Sequence, residues 1–245
     1  MQIALCKSLL RLAFSLLLGT AVAVQVEAAS DKGSEAESKD TPKPTATPHF
    51  KPESITSTGT VTLAGSPIEY QAVAGTIVVH PKGWDDAALA GDKQSKKSEE
   101  SEDSEQEPND HKNPTAEASM FYVTYNKKNV EPDKRPVTFL FNGGPGSSTV
   151  WLHMGAFGPK RVITADDTHT AAAPYQIVNN DYSLLDASDL VFIDAPGTGF
   201  SRIAGKNKEK EFYGVDADAH AFAEFIVAYL SKYGRWNSPK YIFGE

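Results

Sequence analysis

The sequence predicts an α/β domain built on a mixed central sheet, and three features carry that prediction. Residues 137–141 and 190–193 are near-continuous apolar runs, the texture of strands buried on both faces. Between Asp216 and Lys232, the residues Phe222, Phe225, Ile226, Tyr229 and Leu230 fall on one stripe at helical spacing, as in a helix lying on a sheet. Upstream, two runs rich in Val, Ile and Thr are separated by turn residues, the mark of an antiparallel hairpin. Antiparallel strands leading into strand–helix–strand units give a mixed sheet with helices on both faces.

In chain order, residues 55–63 and 68–79 make the hairpin, with Gly65-Ser66-Pro67 as its turn. Met120-Phe121-Tyr122-Val123-Thr124-Tyr125 is a third strand, rich in aromatic and β-branched residues. The helix begins near Asp216 or Asp218, either of which suits an N-cap, and Gly234 suits the C′ position past its end. Residues 240–243 supply one more buried strand.

Some segments stand outside this pattern. Residues 29–53 are rich in Lys, Glu, Ser, Thr and Pro without apolar periodicity and read as a disordered linker. The domain then runs over 54–245, interrupted at about 86–117 by an acidic insertion containing Ser98-Glu99-Glu100-Ser101-Glu102-Asp103. That stretch has no apolar face to dock it and no Gly-pivoted ligand loop for calcium, so it is expected to be disordered. Much of the net charge of −8 sits in these segments rather than on the domain.

Residues 1–28 read as a signal peptide: Lys7 and Arg11 lie before or within an apolar run, and Val26-x-Ala28 forms a cleavage site. The run is shorter than the roughly 20 residues that span a bilayer. The expectation is an exported chain, periplasmic or extracellular, without a stable membrane anchor. Cys6, the single cysteine, leaves with the signal, so a mature chain would rest on its core rather than on disulfides. A content of 40% hydrophobic and 23% charged residues is ordinary for a soluble protein. No basic patch interleaved with aromatics points to nucleic acid. His49, His80, His111, His153, His169 and His220 show no metal-ligand spacing, so neither a metal nor another cofactor is expected.

The chemistry concentrates in two places. Asn142-Gly143-Gly144-Pro145-Gly146-Ser147-Ser148 follows directly on an apolar strand. Paired glycines there remove Cβ atoms and let backbone N–H groups approach a ligand, as an oxyanion hole requires. A ligand-free Gly-Pro-Gly turn is the alternative, while a phosphate loop is disfavoured because no Gly-Lys-Ser/Thr follows. Tyr241-Ile242-Phe243-Gly244-Glu245 is a strand ending in Gly-Glu, which is how a G-x-S-x-G nucleophile elbow begins; a plain strand end is the alternative.

Three stretches in order carry a resemblance: Phe141-Asn142-Gly143-Gly144-Pro145-Gly146-Ser147-Ser148 running on to Phe157-Gly158-Pro159, then Asp194-Ala195-Pro196-Gly197-Thr198-Gly199-Phe200-Ser201, then Tyr241-Ile242-Phe243-Gly244-Glu245. Over about residues 120–245 the chain resembles the serine carboxypeptidase family, bacterial-type, a peptidase branch of the α/β-hydrolase fold. The run from Asn179 to Leu185 also looks like the family. The resemblance implies that Gly144 gives one oxyanion N–H, the other coming from the residue after the nucleophile. It implies that Asn142 and the Gly143 backbone hold the substrate's α-carboxylate, with Glu245 completing the set.

It further implies the N-terminal half of the fold, ending just before the nucleophilic Ser and incomplete in its triad. In this fold the acid and the His follow the Ser, so Asp194 is expected to be a loop or structural residue. The stretch through Glu245 is expected to be inactive alone and, with residues 240–243 as an unpaired edge, prone to aggregate. The implied activity is that of a serine-type carboxypeptidase acting through an acyl-enzyme, its partners peptide substrates with a free C-terminus. An esterase or acyltransferase on the same scaffold, or a non-catalytic peptide-binding remnant, are the competing readings. Three positions depart from the family pattern: Leu140 replaces a frequent Trp, Ala156 replaces a second Glu that pairs with the elbow Glu, and Ser147 replaces a loop Cys.

Overall fold

The structure, a computed structural model, describes residues 48–85, 113–165, 167–169 and 172–245. The expected signal peptide, most of the expected linker and nearly all of the acidic insertion lie outside the described residues. What is described centres on one sheet.

Strands β1 (Ser54–Leu63) and β2 (Ser66–Val79) pair antiparallel, with Leu63 opposite Ser66. Ala64 and Gly65 form the two-residue turn, with φ of 47° and 80°. Positive φ at both central positions matches the turn's twist to that of the strands. The turn therefore sits one residue earlier than the sequence suggests, and Ser66 and Pro67 already belong to β2. Strand β3 (Glu117–Lys127) pairs antiparallel with β2 along its length, from Ala118 opposite Val79 to Lys127 opposite Tyr70. It begins inside the segment expected to be a disordered insertion. Ala116 and Glu117 are buried, because Glu117 is still paired, with Ala204 of strand β8 (Arg202–Ala204).

The rest of the sheet is parallel. Strands β4 (Val137–Phe141), β7 (Asp189–Ile193) and β9 (Lys240–Gly244) run side by side, giving the order β1-β2-β3-β7-β4-β9. Strands β5 (Lys160–Val162) and β6 (Ile177–Asn179) form a separate small hairpin. The expectation of a mixed central sheet holds. β4 and β7 are buried on both faces as their unbroken apolar runs require.

One face is covered by a long helix, labelled α3, over Val215–Lys232, preceded by two short ones, α1 (Val150–Leu152) and α2 (Lys208–Phe212). Phe222, Phe225, Tyr229 and Leu230 of α3 pack on Met120, Tyr122, Phe139, Val191 and Ile193 of the sheet. No side chain caps its start. Gly214, with φ of 119°, precedes the helix, and Asp216 and Asp218 sit in its first turn instead of capping it. There their charge favours the helix dipole. At the far end Gly234 has φ of 63°, and Arg235 N–H donates to Leu230 C=O at 2.8 Å, closing a Schellman motif. The opposite face carries Leu140, Leu190 and Phe192 against Leu152 of α1 and Leu185. Among the described residues its cover is short helical turns rather than a second long helix.

β9 departs from expectation. Its side chains are exposed on both faces, including Tyr241, Ile242 and Phe243. The reason is position: among the described residues β9 has a single sheet neighbour, β4.

The ends of these strands opposite the glycine loop are tied by charge. Asp189, 2% exposed, accepts from Arg135 Nε and from Arg235 Nη1, both at 2.7 Å, and from Lys127 N–H at 2.9 Å. The surplus positive charge is spread over carbonyls: Arg135 donates to Leu185 and Asp186, and Arg235 to Arg135. One carboxylate thus holds the starts of β4, β7 and the α3–β9 connection together.

Candidate active site at the carboxyl ends of the parallel strands

In open α/β sheets, ligands bind outside the carboxyl ends of the parallel strands. Three chemistry-bearing segments of this chain emerge there: residues 142–149 after β4, 194–201 after β7, and Gly244-Glu245 at the end of β9. The register sets Phe141 opposite Gly244, which brings Asn142 and Gly143 level with Glu245. Glu245 N–H donates to Phe141 C=O at 3.2 Å, extending the ladder by one bond.

Gly143 shows why that position excludes a side chain. A Cβ there would stand 2.3 Å from the Glu245 carbonyl oxygen, a clash with backbone. Gly144 and Gly146 face open space but hold φ of 96° and 94°, so their need for glycine is conformational. The Gly144 N–H makes no hydrogen bond to the described residues. It is a backbone donor held in the loop after β4.

Asn142 is 9% exposed, and its side chain folds onto its own loop. Nδ2 donates to Ser147 Oγ at 3.2 Å and to the Gly143 carbonyl at a long 3.4 Å. Oδ1 is buried without a partner among the described residues. An amide so weakly satisfied is costly to keep buried unless something else completes its bonds. Sequence reasoning named Asn142, Gly143, Gly144 and Glu245, and the sheet brings all four to one edge.

Two residues that hold this edge in place carried weaker signals. Asp194 was expected to be a loop or structural residue, and its bonds give it that role. Oδ1 accepts from Thr149 N–H at 2.8 Å and Oδ2 from Phe200 N–H at 3.0 Å, so one buried carboxylate fastens both loops. Gly199 lies against it, where a Cβ would come within 2.0 Å of Oδ2. Thr149 was not singled out from the sequence. Its hydroxyl accepts from Asn142 N–H at 3.1 Å and donates to the Ile193 carbonyl, pinning the loop to β7. A Ser-Ser-Thr run ahead of an apolar helical residue is an N-cap pattern and was the available signal. Here, though, the hydroxyl is used between strands, not as a cap.

A second scaffold supports the turn at 153–157. Asn180, fully buried, donates from Nδ2 to the Ala156 and Gly158 carbonyls at 2.6 and 2.7 Å, and Ser183 Oγ donates to the Phe157 carbonyl at 2.9 Å. The Asn179–Leu185 run is thus a clamp on this turn. His153 lies within it, stacked on Phe192 at 4.7 Å with Nε2 2.7 Å from Tyr125 Oη. Burial pulls its pKa down to about 4, so the ring is neutral and committed to the phenol. Ser201 is likewise committed: fully buried, it donates to the Asp194 carbonyl and accepts from Phe121 N–H, both at 2.8 Å. Among the described residues no cluster of His, Cys, Asp or Glu could hold a metal, and no helix is long and apolar enough to cross a membrane.

This edge brings Asn142, the Gly144 N–H and Glu245 together at the ends of β4 and β9, and a backbone N–H without a partner among the described residues is able to polarise a carbonyl. The serine carboxypeptidase family model matches residues 110–245. The chain is 29% identical over 139 residues to a pheromone-processing carboxypeptidase KEX1 of Phytophthora infestans, covering 51% of this chain and 21% of that protein. It is 31% identical over 133 residues to the protein of the same name from Cryptococcus gattii, covering 54% and 19%. Serine carboxypeptidase-like 33 of Arabidopsis thaliana is 25% identical over 130 residues, covering 52% and 25%. The chain thus spans about a fifth to a quarter of the length of the curated relatives it matches. With the match extending over more than half of the 245 residues, and onto the three loops that the sheet gathers at one edge, the chain belongs to the serine carboxypeptidase family.

Proposed function

We propose that the protein carrying this chain is an exported serine-type carboxypeptidase that releases C-terminal residues from peptides through an acyl-enzyme. The observation that carries this reading is the approach of Gly143 to Glu245, 2.3 Å from a would-be Cβ to the carbonyl oxygen. It supports the reading by setting the glycine loop directly beside Gly244-Glu245, taken as the start of a nucleophile elbow. In this reading the Gly144 N–H donates to the oxyanion of the tetrahedral intermediate, and Asn142, the Gly143 backbone and Glu245 hold the free carboxylate of a peptide substrate. In this reading Gly244-Glu245 begin the nucleophile elbow, and the serine of that elbow is the nucleophile. Asp194 positions two loops and takes no proton in the reaction.

Labelling the full-length protein with a fluorophosphonate and mapping the adduct by peptide mass spectrometry tests the assignment. The expected adduct is on the serine of the nucleophile elbow. An adduct on Ser147, Ser148 or Ser201 would overturn it, since none of these is paired with a base among the described residues.

A further inference from the structure

Beside the candidate site lies an open groove of about 590 Å³ that the roles above leave unused. Its walls are Ala156, Phe157, Ile163 and Tyr182, and Arg161 of β5 lines it as its one charged residue. Arg161 is half-buried and makes no ion pair or side-chain hydrogen bond with the described residues. Each other arginine described is engaged: Arg135 and Arg235 hold Asp189, and Arg202 bonds the Gly199 and Ser201 carbonyls. A guanidinium without a counter-charge among the described residues, in a groove that Thr164 and Asn180 also line, is a ready partner for an anionic group.

The groove adjoins the end of β9 through one wall residue. Phe157 packs edge-on against Phe243 at 5.0 Å, one residue before Gly244-Glu245, and its backbone is held by the Asn180–Ser183 clamp. The side chain of a peptide residue whose carboxylate rests at Asn142, Gly143 and Glu245 is the part of the substrate nearest this opening. At position 156 an Ala leaves no carboxylate to neutralise Arg161 from within the wall.

We propose that this groove takes the side chain of the substrate's C-terminal residue and that Arg161 selects an acidic one, glutamate or aspartate. The inference rests on the carboxypeptidase reading for where the substrate's carboxylate sits. It goes beyond that reading in naming the preferred side chain.

Binding rather than turnover separates the two. Calorimetry on the full-length protein would use N-acetyl-Phe-Glu and N-acetyl-Phe-Gln analogues with a ketomethylene group in place of the peptide bond. A charge-assisted hydrogen bond corresponds to a preference of about ten-fold or more for the Glu analogue. Arg161→Gln is expected to bring the ratio to about one, Arg161→Lys to restore part of it, and Arg161→Glu to invert it. Equal affinities in the wild type, or a ratio that survives Arg161→Gln, would overturn the subsite. Binding with the expected ratio but without C-terminal release from a hydrolysable peptide keeps the subsite and rejects the peptidase reading. Release without Glu/Gln discrimination keeps the peptidase reading and rejects the subsite.

Discussion

Replacing Asn142 with Ala in the full-length protein is expected to lower kcat/KM for peptides with a free C-terminus by about 10–100-fold, and far less for the matching amides. Hydrogen bonds to a charged group contribute roughly 1.5–3 kcal/mol, and each 1.36 kcal/mol is about ten-fold in rate. The selectivity follows from how the loop is built. Its anchor is the Asn142 backbone N–H on Thr149 Oγ1 and the Thr149 N–H on Asp194, and neither bond uses the Asn142 side chain. The truncated loop therefore keeps these two anchors and gives up only the Asn142 side-chain bond to Ser147, along with the donor that the proposed function assigns to the substrate carboxylate. Steady-state kinetics on acid and amide pairs decides it. Equal losses on both would assign Asn142 a role in loop structure alone.

A larger effect on stability is expected at the other end of the sheet. Asp189→Ala should destabilise the fold by about 3–5 kcal/mol, because it leaves two buried guanidinium groups without their counter-charge. Asp189 and Arg235 are 2–3% exposed at their side chains and Arg135 is 10% exposed, so water cannot replace the lost carboxylate. The measurement is the urea-unfolding midpoint of the full-length protein against wild type. A change under about 1 kcal/mol would show that the carbonyl contacts of Arg135 and Arg235 suffice to hold these charges.

Legibility in the sequence differed by the range of the interaction. The buried strands at 137–141 and 190–193 and the stripe of the long helix were readable because burial on a sheet leaves a period in the residues themselves. Gly234 was readable for a similar local reason, as a left-handed position closing a helix. The Asp216 and Asp218 caps were misread because a glycine with φ of 119° starts the helix, and an acidic first turn looks alike whether or not it caps. The exposure of β9 could not be read, since it depends on sheet neighbours and not on Tyr241, Ile242 or Phe243. The start of β3 at Glu117 was hidden by the acidic run before it, although pairing with Val79 and Ala204 decides it.

The site divides along the same line. Asn142, Gly143, Gly144 and Glu245 sit in local motifs, and the parallel pairing of β4 with β9 then makes them neighbours. Thr149 and Asp194 act across 45 positions of sequence, and no local pattern announces a bond of that kind. Arg161 escaped notice because what sets it apart is the lack of a partner among the described residues, which only the fold reveals.

Under the proposed function these three loops serve a peptidase that requires a free C-terminus. The most direct measurement is the release of amino acids by the full-length protein from one blocked peptide offered as free acid and as amide, followed by chromatography of the products. Stepwise loss of residues from the C-terminus of the acid, with markedly slower attack on the amide, is the expected result. Equal rates on both forms, or cleavage within the peptide without loss of its last residue, would contradict it.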